Sequence, residues 1–178
     1  MLILAADTER VEAAPGLEPI HDLADVLFVA LAATLCGATS EAGIAWFAQD
    51  RLELLRPFVP LANGAPSQDD FSQVFRRLDP KAFEAALRQL MTAFGRETRE
   101  KDAPNLRRAY EAARVHMPCP SIAARNASAA WARGNLAVLK RVSHKALRAD
   151  PEKIPLTHKK ARANWSREGL LRALRYMS

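Results

Sequence analysis

From Asp22 the chain reads Asp22-Leu23-Ala24-Asp25-Val26-Leu27-Phe28-Val29-Ala30-Leu31, a segment that wound as a helix is apolar nearly all round. Such a helix has no polar face to turn to water, so its neighbours must enclose it, and the rest of the fold is organised around that need. Gly37 supplies a stop. The apolar stretch from Val26 to Ala38 falls short of the about 20 residues that a membrane-crossing helix needs, and Asp25 stands at its edge. The segment is therefore read as a core helix, with no membrane partner.

The following sequence is punctuated as a series of amphipathic helices. Ser40 is placed to cap a helix bearing Ile44, Phe47 and Leu54, and Pro57, Pro60 and Asn63-Gly64 mark a turn-rich loop through Pro66. Ser67 and Asp70 stand at capping-box spacing before Phe71, Val74, Phe75 and Leu78. Asp79-Pro80 repeats the logic ahead of Phe83, Leu87, Leu90, Met91 and Phe94, with Gly95 as the expected end. Charges alternate without an apolar period from Arg96 to Ala103, which reads as a connector. A short helix from Pro104 to Val115 is compatible with the pattern and cannot pass Pro118 and Pro120.

Beyond Pro120, Leu136, Leu139, Val142, Ala146 and Leu147 form one stripe, beside Lys140, Arg141, His144, Lys145 and Arg148 on neighbouring faces. Asp150-Pro151 and Pro155 interrupt it, Lys159-Lys160-Ala161-Arg162 is read as a loop, and Ser166 caps a last helix with Leu170, Leu171, Leu174 and Met177. The expected fold is mainly α, with an N-terminal helical unit at residues 1–95, a charged connector at 96–120 and a basic C-terminal helical segment at 121–178.

Charge divides along the same lines. Residues 1–95 hold 7 Lys and Arg against 13 Asp and Glu, whereas residues 121–178 hold 13 against 3, within a whole-chain net charge of +6. A polyanion is drawn to the C-terminal third, where Lys140, Arg141, Lys145, Arg148, Lys159, Lys160 and Arg162 are the expected phosphate contacts. Contacts of that kind position a protein on DNA without reading its bases. The four histidines, His21, His116, His144 and His158, show no metal-ligand spacing, so no metal site is expected. Cys36 and Cys119 show no disulfide or zinc pattern, and Met1 to Ala6 lacks the basic start of a secretory signal, which suits a reducing cytoplasm. Trp46, Trp131 and Trp165 are read as core packing.

Three stretches of the N-terminal half carry a resemblance: Asp22 to Cys36, Leu55-Arg56-Pro57-Phe58-Val59-Pro60-Leu61-Ala62-Asn63-Gly64-Ala65-Pro66-Ser67, and Phe71-Ser72-Gln73-Val74-Phe75-Arg76-Arg77-Leu78-Asp79-Pro80-Lys81-Ala82-Phe83-Glu84. They resemble the N-terminal region of the H-repeat-associated, ISAs-type insertion-sequence transposases. Asn135 to Arg141, Leu147 to Leu156 and Leu170 to Met177 resemble the same family's C-terminal end. Gln68 and Asp70 depart from its usual histidine and threonine, and Asn164-Trp165-Ser166 replaces its usual glycine and acidic residues.

The resemblance implies an RNase H-like sheet between the two regions, carrying a DDE set of three carboxylates that binds divalent metal, usually Mg²⁺. Here that sheet is expected to be largely absent. Asp102 resembles the first carboxylate, but Ala103 and Pro104 follow it where the family has glycine and lysine. In-line phosphoryl displacement by a metal pair needs several carboxylates in one cage. Asp102 is thus expected to be vestigial, with no competent catalytic residue and no cofactor. The expectation is an internally deleted, catalytically inactive transposase that binds DNA, modulates insertion-sequence transposition, and associates with itself or with an intact transposase. The alternative is a protein-interaction module with no DNA role.

Overall fold

A computed structural model of the protein describes residues 21–99, 106–115 and 128–176. Its helices are α1 (Leu23–Leu35), α2 (Glu41–Asp50), α3 (Leu52–Leu55), α4 (Gln68–Arg77), α5 (Pro80–Arg99), α6 (Leu106–Val115), α7 (Ala129–Ala149), α8 (Leu156–Trp165) and α9 (Arg167–Arg175), and there is no strand among the described residues. The fold is mainly α, as the patterning requires.

Helix α1 is the buried centre. Every residue from Ala24 to Leu35 is buried, Asp25 and Thr34 included. The Asp22 carboxylate accepts from the Ala24 amide at 2.8 Å to start the helix. At the other end Gly37 adopts φ 111°, and the amides of Gly37 and Ala38 return to the carbonyls of Thr34 and Ala33, a Schellman closure that a residue with a Cβ would strain. The two polar side chains inside are satisfied. Thr34 donates to the Ala30 carbonyl, and the Tyr110 hydroxyl of α6 donates to Asp25 at 2.6 Å. Phe28 meets Phe58, Phe94 and Tyr110, with ring centroids 5.2–6.0 Å apart, so α1 is sealed by rings from the loop after α3, from α5 and from α6.

The predicted caps are in place. Ser67 and Asp70 form the reciprocal box at the start of α4, Asp79 accepts from the amides of Lys81 and Ala82 to open α5, and Ser166 accepts from Gly169 to open α9. Gly95, expected to end α5, lies within it instead. A Cβ there would come 3.7 Å from the Arg175 carbonyl, so the glycine sits where α5 meets the end of α9.

Helix α7 packs on α1, α4 and α5, so the C-terminal segment and the N-terminal helices share one hydrophobic core. Ser128 and Asn135 supply two of the polar links that hold it there. The Ser128 amide donates to the Arg76 carbonyl at 2.9 Å. The wholly buried Asn135 amide donates to the carbonyls of Phe75 and Leu78, each at 2.8 Å, satisfying the end of α4.

Lys159-Lys160-Ala161-Arg162, expected as a loop, lies inside α8. Pro151 and Pro155 turn the chain back so that α8 runs beside the end of α7. The Lys159 ammonium, almost fully buried, donates to the carbonyls of Leu147 (3.0 Å) and Asp150 (2.7 Å), closing α7's C-terminus with a positive charge. Arg172 of α9 grips the Asp150 carboxylate bidentately at 2.8 and 3.0 Å, and Arg162 bridges Asp150 and Glu152. Helices α8 and α9 cross tightly: a Cβ on Gly169 would fall 2.3 Å from the Arg162 carbonyl, a position only glycine fills.

Two measurements check this arrangement. Asn135→Ala leaves two buried carbonyls without their donor and should lower unfolding stability by about 1–3 kcal/mol in urea titration; an unchanged midpoint contradicts the link. The Arg172 hydrogen bond holds the Asp150 carboxyl below the usual carboxylate range, with the Glu152 amide adding to it. A carboxyl depressed on folding stabilises above its unfolded value, about 3.9, and that contribution is lost as pH falls through the lower folded value. Asp150→Asn should therefore lose about 1–2 kcal/mol at pH 7, discounted because the guanidiniums keep a solvent face, and should show a shallower stability decline than the wild type below about pH 4. Parallel acid profiles would contradict it.

Candidate nucleic-acid interface

Because α7 is held by its inner face, its outer face is determined. Ala132, Asn135, Val138, Leu139, Ser143, Ala146 and Leu147 turn into the protein. The opposite side presents Arg133, Lys140, Arg141, His144, Lys145 and Arg148, all exposed. At 1.5 Å per residue, the stripe from Arg133 to Arg148 extends about 22 Å. Lys140, Arg141, His144, Lys145 and Arg148 line one shallow, open depression along it. Among the described residues, Arg133, Lys140, Lys145 and Arg148 make no ion pair, so their charge is available to an outside anion.

Among the described residues, Arg141 is the member of this stripe that has an internal carboxylate partner. Its Nη2 lies 2.5 Å from one oxygen of Glu84 on α5, and Arg88 Nη2 lies 2.5 Å from the other. The Arg88 hydrogen bond, with the charge of Arg141 behind it, holds the Glu84 carboxyl below its ordinary range. Helix α5 thus sets one carboxylate at the border of the cationic face.

Of the seven residues named from sequence, Lys140, Arg141, Lys145 and Arg148 come together on α7. Lys159 is turned inward as the α7 cap and Arg162 is engaged by Asp150 and Glu152. Lys160 is half-buried, its stem running beside Gly37. Arg133 and His144 extend the ridge beyond the named set. The i, i+4 and i+7 spacing from Arg133 through Ala137 and Lys140 was the signal for Arg133.

Asp102 lies outside the described residues, as do His116 and Cys119. Among the described residues no three His, Cys, Asp or Glu side chains are grouped so as to hold a metal ion, and no helix is long and apolar enough to cross a membrane. Trp46 and Trp165, expected inside, are 66% and 78% exposed, because each sits on the helix face opposite its buried neighbours Ala45, Ala48 and Ala163.

The model of the DDE_Tnp_1-associated family matches residues 17–91, which run through α1, α2, α3 and α4 into α5. The chain is 48% identical over 67 residues to "Uncharacterized protein in dhlA 3'region" of Xanthobacter autotrophicus, covering 38% of this chain and 23% of that protein. It is 36% identical over 64 residues to "Putative transposase YncI" of Escherichia coli O157:H7, covering 36% of this chain and 16% of that protein. The chain thus spans less than a quarter of the length of either curated relative. No solved structure matches. Over residues 17–91, less than half of its length, the chain is thus similar to the DDE_Tnp_1-associated family, and it is also similar to a putative transposase.

Proposed function

We propose that this protein is a transposase derivative that binds duplex DNA through the phosphate backbone, without cutting or joining it, and modulates transposition by occupying DNA that an intact relative would use. One observation carries the binding: the basic stripe of α7, whose charges meet no carboxylate among the described residues apart from Glu84 and whose inner face is fixed in the core. A rigid helix bearing lysine and arginine along one face presents donors to successive phosphates without first having to order them. The transposase-associated N-terminal region supports the choice of DNA as the polyanion. The absence of cutting rests on the sequence reading of Asp102, whose altered neighbours Ala103 and Pro104 leave it as a lone carboxylate where the reaction needs several.

Phosphate-led binding has a defined salt signature, because each neutralised phosphate releases counterions. Fluorescence anisotropy with a labelled duplex should show affinity falling steeply from low to moderate salt, with little dependence on base sequence. The triple substitution Lys140→Gln, Lys145→Gln, Arg148→Gln should reduce the slope of log affinity against log salt by about 0.9 for each phosphate contact removed. The duplex should stay intact with magnesium present. Undetectable binding at low salt, or a triple variant that binds as the wild type does, overturns the reading.

A further inference from the structure

Resting on the DNA-binding reading, we propose that Glu84 is an internal stand-in for phosphate: it occupies Arg88 and Arg141 in the free protein and yields both guanidiniums to a phosphodiester group when a duplex docks on α7. The geometry fits that exchange. The two carboxylate oxygens of Glu84 each take one guanidinium nitrogen at 2.5 Å, one from its own helix four residues on and one from α7. A phosphodiester offers the same pair of anionic oxygens to the same kind of fork.

Burial distinguishes this carboxylate from Asp150, which arginines also grip. The Asp150 side chain is 3% exposed, and Lys159 approaches its backbone carbonyl from behind, so that cluster is locked into the fold. The Arg88 and Arg141 side chains are 65% and 60% exposed, and Glu84 itself 23%. Ion pairs of such exposure contribute little to folding and are readily exchanged. Each guanidinium carries five N–H donors, and Glu84 engages Nη2 of each, so a phosphate can make its first contacts before the carboxylate lets go. Glu84 is then a positioning and selectivity residue. It holds Arg141 at the border of the α7 ridge, and it reserves two cations for an anion dense enough to displace it, as a duplex backbone is and a single carboxylate is not.

Glu84→Gln keeps the shape and removes the competing charge. In the anisotropy titration it should bind duplex about threefold to fivefold more tightly than the wild type at low salt, with a steeper salt slope. Glu53→Gln removes an equally charged, Arg56-paired and exposed carboxylate of α3 and should shift affinity by less than about 1.5-fold. The decisive arm is a cycle: Arg141→Gln should cost less than about twofold in the wild type but about threefold or more in the Glu84→Gln background. Equal gains from the two Glu→Gln changes, or an equal cost of Arg141→Gln in both backgrounds, would overturn the Glu84 proposal while leaving DNA binding intact. A wild type and a Glu84→Gln variant that both fail to bind would remove the DNA reading itself.

Discussion

Enclosing α1 on every side is the constraint from which the rest of the architecture follows. A helix buried from Ala24 to Leu35 has no solvent face, and the helices nearest it in sequence do not suffice to cover it. The enclosure draws on α2 and α4, on Phe94 of α5 and Tyr110 of α6, and on α7, which begins more than ninety residues after α1 ends. Burial of this kind contributes on the order of 25 cal/mol per Å² of apolar surface, so a C-terminal segment that supplies a wall is held by the same burial that stabilises the N-terminal helices it covers. Asn135 adds direction to that adhesion, because its amide finds two carbonyls only in one rotation of α7.

That rotation has a functional consequence. With Val138, Leu139, Ala146 and Leu147 facing inward, Lys140, Arg141, Lys145 and Arg148 can only face outward. Other C-terminal cations act differently: Lys159, Arg162 and Arg172 fold α8 and α9 against the end of α7. A cationic segment is thereby divided between internal ties and an open ridge. The division follows the positions of Asp150 and Glu152, two of the three carboxylates in the last third of the chain.

Local signals were legible wherever one residue type performs one local task. Ser40, Ser67, Asp79 and Ser166 cap the helices that their spacing announced, and the apolar segment that runs from Asp22 to Leu31 announced the central helix. Long-range partners were not legible. Nothing local to Lys159 says that its ammonium will reach the carbonyls of Leu147 and Asp150, and the basic run read as a loop because its stabilising contacts lie across a proline-bent turn. Gly95 looked like a stop because glycine ends helices, whereas its task is to face the end of α9. Trp46 and Trp165 were assigned inward by residue type, and the alanines around them form the buried face instead. For the candidate site, four of the seven named cations lie together on α7; Glu84, a cross-helix partner 57 residues away, had no signal in spacing.

Native-state hydrogen exchange tests most directly whether α7 is a wall of the α1 core. If it is, the inner amides of α7 and those of α1 exchange through the same large opening, with the same free energy and the same steep dependence on urea. Amides of α7 to α9 that exchange from a smaller opening, insensitive to urea, while α1 stays protected, would contradict the shared core and with it the fixed orientation of the basic ridge.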